Sequence, residues 1–165
     1  MVLVASVVTE KLRSILASDS GVQAAVFEID DLEGEDLKTF HGQQVIAQNA
    51  SPELTERSTV SKYPLLFVYC SKLLNSLREK FRGFSGEAQM VVEIRISQDR
   101  LERLETKVQL YVDAVIQVLG ENRGDWGDGV FYGGTYEVSY GPAKHGGRNF
   151  IQIAKIALAV DISVD

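Results

Sequence analysis

Asp125 and Asp128 stand three residues apart in the stretch Gly124-Asp125-Trp126-Gly127-Asp128-Gly129, a spacing at which two carboxylates could share acid–base work. His145 could complete the set if the loop Pro142–Arg148 comes to the same end of a hairpin as Gly124–Gly129. The chemistry would then be that of a small hydrolase.

Other reactive residues lack neighbours of the right kind. Ser85 lies in Gly83-Phe84-Ser85-Gly86, which is not a Gly-x-Ser-x-Gly elbow. Cys70, the single cysteine, follows the apolar run Leu65-Leu66-Phe67-Val68-Tyr69 and reads as a buried structural thiol. It can form neither an internal disulfide nor a thiolate zinc site alone. His41 and His145 have no ligand-spaced partner and read as surface residues. The acidic run Asp30-Asp31-Leu32-Glu33-Gly34-Glu35-Asp36 lacks the ligand spacing and closing Glu of a calcium loop, so it reads as a solvated loop. Gly127-x-Gly129 precedes a strand rather than a helix and offers no phosphate cradle. The expectation is therefore a non-enzyme without catalytic residues, metal or cofactor. Trp126, the single tryptophan, has two readings: it folds back to cap the core, or it anchors a partner.

The 165 residues fit one domain, taken as 1–165, with 45% apolar and 24% charged side chains, an ordinary globular balance. A net charge of −6 argues against a basic nucleic-acid binder, though an acidic surface suits a passage through which DNA slides without sticking. No apolar stretch approaches the ~20 residues of a membrane span. Met1–Val8 is apolar but lacks a basic leader, and reads as the start of a helix.

Val4, Val8, Leu12, Ile15 and Leu16 predict an amphipathic helix over about Val2–Asp19. Val22–Ile29 is a short strand or a helical turn, Gln43–Asn49 a strand, and Ser51-Pro52 the start of a turn or short helix. The polar residues Ser58–Lys62 lead to a short buried strand at Leu65–Cys70, and Ser71–Phe84 is open between helix and strand. Glu87–Ser97 alternates as a half-buried strand, with Met90, Val92, Ile94 and Ile96 inside and Val91, Glu93, Arg95 and Ser97 outside. A long helix is expected from Gln98 to Leu119, with Leu101, Leu104, Val108, Tyr111, Val112, Val115, Ile116 and Leu119 as its stripe, Ser97 as its cap and Gly120 as its stop. Nine of the 14 glycines fall between Gly120 and Gly147. Around them, Val130–Tyr140 and Asn149–Ser163 predict a long hairpin joined by about seven residues. The fold class is α+β: a mostly antiparallel sheet with a long C-terminal hairpin, flanked by an N-terminal helix and one long central helix.

Several of these segments, taken in order, resemble a known family. Tyr63-Pro64 leads into Leu65–Tyr69; then come Glu79-Lys80-Phe81-Arg82-Gly83-Phe84-Ser85-Gly86, an alternating strand, the Asp99-Arg100-Leu101-Glu102 helix start and the glycine-rich hairpin. This order, over roughly Pro52–Asp165, is similar to that of small neck proteins of tailed bacteriophages, the tail terminator or tail-completion group. The resemblance implies an α+β virion protein that forms a hexameric ring, caps the tail tube and meets the head-closure or connector protein. DNA would pass through its lumen, and no membrane is involved. It would act in the virion neck after assembly in the host cytoplasm. A head-closure or head–tail adaptor protein is the neighbouring alternative, and an unrelated binding module or the hydrolase lies outside the family. Self-association and partner contacts are expected at Trp126, Phe131, Tyr132, Tyr136 and Tyr140, and at the loop cations Lys144, His145 and Arg148.

Overall fold

The computed structural model describes residues 1–57 and 63–165; the polar stretch Ser58–Lys62 lies outside the described residues. Two long strands form the spine. β3 (Phe84–Gln98) and β8 (Asn149–Val164) run antiparallel in one unbroken register, from Phe84 opposite Val164 to Gln98 opposite Phe150. Their inward residues alternate as strict period-two sequences require. Met90, Val92 and Ile94 on β3, and Ala154, Ile156 and Val160 on β8, are buried without remainder.

Helices close over that face. α1 (Ala5–Ala17) buries Val8, Leu12 and Leu16, one residue per turn, so the predicted stripe is the one that packs. α2 (Val22–Glu33) settles the open reading of Val22–Ile29 as a helix, and Gly34 ends it in a left-handed conformation with its N–H on the Asp30 carbonyl. The first half of the acidic run is therefore helical. Asp30 accepts the Leu37 N–H at 2.8 Å, and Glu35 pairs with Arg103.

α4 (Leu104–Glu121) starts six residues later than predicted. The Gln98 side chain donates to the carbonyls of Arg100 (2.7 Å) and Glu102 (2.8 Å), and Arg103 is left-handed at φ 64°. The intervening residues are thus a turn, Ser97 is not the cap, and Leu101 is 58% exposed. Gly120 is inside the helix rather than its stop.

The described residues form one eight-stranded sheet. β1 (Val45–Ile46) is shorter than expected because residues Gly42–Gln44 make a 3-10 turn, and it pairs parallel with β2 (Leu65–Leu74). β2 runs past Cys70 with a bulge before Lys72, which decides most of Ser71–Phe84 as strand followed by a turn. α3 (Pro52–Arg57) begins at the predicted proline.

On the other side of β8 the predicted strand Val130–Tyr140 is two. β4 (Gly124–Gly127) and β5 (Val130–Tyr132) make a small hairpin in place of a loop. Its central residues, Asp128 and Gly129, both have positive φ, as a two-residue type I′ turn demands. Gly133 and Gly134 then leave the ladder before β6 (Tyr136–Tyr140). β7 (Lys144–Gly146) meets β8 through Gly147-Arg148, so the seven-residue loop shrinks to a two-residue turn. The α+β class and the long C-terminal hairpin stand with these changes. No helix among the described residues is long and apolar enough to cross a membrane.

Tyr111 ties α4 to the segment after α2. It is 3% exposed and its hydroxyl donates to the Lys38 carbonyl at 3.2 Å. Burial raises its phenol above the usual range. The folded state thus favours the neutral phenol, so its contribution is whole below the unfolded value of about 10 and fades as pH climbs through the folded one. Tyr111→Phe should cost about 1 kcal/mol near pH 7 and flatten the loss of stability above about pH 10, read as urea midpoints across that range.

Candidate functional site

The sheet's second face is partly covered. Directly opposed residues of paired strands share a face, so Leu65, Phe67, Glu93, Arg95, Ile153 and Lys155 lie together on the side away from α1 and α4. Phe67 and Ile151 are buried there, and so are Glu93 and Arg95, with side chains 7% and 2% exposed. This corrects the half-buried reading of β3. The chain at Asn49–Pro52 crosses this face, and a groove of about 640 Å³ separates it from Ser139–Lys144.

Charge at the groove floor is matched atom by atom. Arg95 bonds Glu93 and the Ala50 carbonyl, and its guanidinium lies 4.0 Å over the Phe67 ring. Tyr69 donates to Glu93 at 3.4 Å, and Lys155 stands 3.6 Å from the same carboxylate. Burial first, then the Glu93 charge, pushes the Tyr69 phenol up, so it remains a donor. Sequence reasoning missed this cluster; the signal was opposite charges two apart on one strand beside the Phe67-x-Tyr69 strand.

The predicted contact residues divide. Trp126 is half-buried against the core, donating Nε1–H to the Asn122 carbonyl at 2.7 Å with its ring 5.5 Å from that of Tyr132. Its core-capping reading is thus the one observed. Tyr132 is 1% exposed, its hydroxyl on the Thr135 carbonyl, so it is a core residue and leaves the surface set. Phe131, Tyr136 and Tyr140 are exposed but do not make one patch. Phe131 opposes Asp161 on the grooved face, whereas Tyr136 and Tyr140 oppose Leu158 and Ala154 on the helical face. Lys144, His145 and Arg148 are exposed at the β7–β8 turn, where the His145 ring lies tilted against that of Phe150, 5.2 Å between centroids.

The sequence matches no protein-family model and no curated protein.

The hydrolase constellation does not assemble. His145 pairs opposite Phe150, while Asp125 pairs opposite Phe131, which itself opposes Asp161. Eleven residues of extended β8 separate the two places, about 36 Å. Asp125 accepts the Gly127 N–H at 2.8 Å within its own turn, and Asp128 pairs with Lys11 of α1 at 2.9 Å, tying the hairpin to that helix. Cys70 is half-buried rather than fully buried, and burial raises its thiol away from the reactive range. His41 is exposed and opens the 3-10 turn, its N–H on Gln44 Oε1. Among the described residues no three His, Cys, Asp or Glu gather as metal ligands would.

Proposed function

We propose that this protein is a structural component of a tailed-phage neck: a tail terminator whose ring caps the tail tube and joins it to the head connector. Its work is assembly by contact rather than catalysis. The observation that supports this most is that the sheet's two margins differ. Among the described residues β6 pairs only with β8, leaving its outer edge open beside Tyr136 and Tyr140. At the far margin β1 covers β2 only at Leu66 and Phe67. Unlike margins on one subunit are what a head-to-tail ring uses, since each contact joins two different surfaces. Open strand edges are ready templates for such contacts. The segments that resemble the family fall on the elements that build this sheet: Leu65–Tyr69 on β2, Glu79–Gly86 on the β2–β3 turn and the start of β3, and the glycine-rich stretch on β4–β8. The net charge of −6 suits a lumen that DNA traverses.

Electron microscopy of the purified protein, alone and mixed with tail tubes of its own phage, tests the reading. Rings seated on tube ends are expected. A protein that stays monomeric and leaves tube ends bare overturns it, and rings that bind the connector but never the tube replace it with the head-closure role.

A further inference from the structure

The most exposed aromatic ring of the chain is on an ordered turn. Phe81 is 97% exposed and Leu77 65%, both between β2 and β3. The Leu77 N–H donates to the Ser85 carbonyl at 3.1 Å, the Ser85 N–H to Asn75 Oδ1 at 3.0 Å, and Arg82 to Asp165 at 2.7 Å. Arg78 and Phe81 hold left-handed backbone at φ 50° and 68°, a region that side chains other than Gly, Asn and Asp seldom occupy. The turn is thus fixed in a form that points a phenyl ring at solvent. Arg78, Lys80 and Arg82 flank that ring in sequence, with Glu79 and Asp165 as the neighbouring carboxylates; Arg82 is the cation paired with both, at 3.9 and 2.7 Å.

A groove of about 630 Å³ has the opposite character. It lies between α1 and the β4–β5 hairpin, with Val7, Ile15 and Trp126 as its apolar lining. Three carboxylates line it, Glu10, Asp125 and Asp128, against Lys11 in the lining and Arg13 beside it, an excess of one negative charge. Glu10 is bridged to Arg13 and Asp128 to Lys11, so the rim is ordered as well.

Turn and groove are at the same end of the sheet. A Cβ on Gly83 would meet Val2 and Asp165, and one on Gly129 would meet the Ser163 carbonyl. They are on opposite sides of β8, because the sheet order places β2 and β3 to one side and β5 and β4 to the other.

We propose that the β2–β3 turn of one copy inserts Phe81 and Leu77 into the α1/β4–β5 groove of the next copy, with Arg78 and Lys80 against the acidic rim. This contact rests on the ring reading above and supplies its joint. A basic-apolar knob meets an acidic-apolar socket, and the two patches are different surfaces, so each subunit has one of each to offer. Trp126 then serves twice, as core cap and as one wall of the socket, and aromatic walls of this kind concentrate interface affinity.

The test uses the full chain with Cys70→Ser as background. One preparation carries Ser76→Cys, exposed beside Leu77 on the turn, another Ser14→Cys in the groove, and the two are mixed with a short bismaleimide. Heterodimers between the two preparations are expected, and a chain bearing both cysteines should give a covalent ladder that ends at the ring size. Glu10→Lys and Lys80→Glu, both at exposed positions, should each weaken self-association about tenfold, and the two together in one chain should restore it. Rings that form without this cross-link, or whose stability ignores both reversals, overturn the contact and leave the ring reading intact. A ladder that grows without closing supports the contact and removes the ring. A protein that is monomeric and inert to the cross-linker at every concentration, with tail tubes present as well as without, removes both.

Discussion

Arg95→Ala should lower the unfolding free energy by about 3–5 kcal/mol, the cost of leaving one member of a buried ion pair without its partner. The reason is local. Glu93 is almost wholly buried, and without Arg95 its remaining partners are the Tyr69 hydroxyl at 3.4 Å and Lys155 at 3.6 Å. Lys155 is about half-exposed, so its charge is screened by water and offsets little. The Ala50 carbonyl also loses its donor, and the Phe67 ring loses the guanidinium stacked on it. Glu93→Leu combined with Arg95→Met should be far milder than either single truncation, because a buried pair replaced by apolar groups of similar size is often close to neutral. A double-mutant cycle by urea denaturation measures the difference. An Arg95→Ala cost below about 1 kcal/mol would mean that this face is wet and that residues Asn49–Pro52 do not cover it.

Gly86→Ala should be nearly as damaging, at about 3 kcal/mol, the upper part of the usual overpacking range. Gly86 sits on β3 opposite Ile162. A Cβ there would stand 1.8 Å from the Leu74 carbonyl oxygen and 2.9 Å from the Ser76 nitrogen. Both are backbone atoms of β2 and its following turn, so relief requires the strands to part where the Phe81 turn begins. Gly120→Ala is the control. It lies inside α4 with nothing within 4 Å of the added methyl, and should stabilise by about 1 kcal/mol through helix propensity. Thermal and urea midpoints of the two variants should therefore move in opposite directions.

What sequence could tell depended on whether a residue's fate was decided nearby. Val8, Leu12 and Leu16 announce α1 because burial repeats once per turn along the element itself. The α4 stripe is legible for the same reason, yet its start is not. Leu101 keeps the period, but the Gln98 amide captures the carbonyls that a helix would need. α2 is ambiguous in sequence because Phe27 and Leu32 are exposed while Val22, Ala25 and Val26 do the packing. Glu93 and Arg95 show the limit most clearly. Alternation along β3 reports which residues are polar, not which are covered, and the cover comes from Ala50, more than forty residues away. The surface set suffers likewise. Tyr132 and Tyr136 look alike in a glycine-rich stretch and stand on the same face of the sheet, but the Trp126 ring brought over by the β4–β5 hairpin covers Tyr132 and not Tyr136.

The division of labour along β8 has a mechanical consequence. One flank of this strand is zipped to β3 without a gap, while the other is buttoned in three places, to β5, β6 and β7, with glycine or proline between them. A zip resists opening until an end gives way; buttons come undone singly. Local opening should therefore be confined to the buttoned flank, each short ladder letting go without loosening the next. In the ring proposed above, that margin is the part free to remodel against a neighbour while the spine and core keep their register, which separates what holds shape from what negotiates contact.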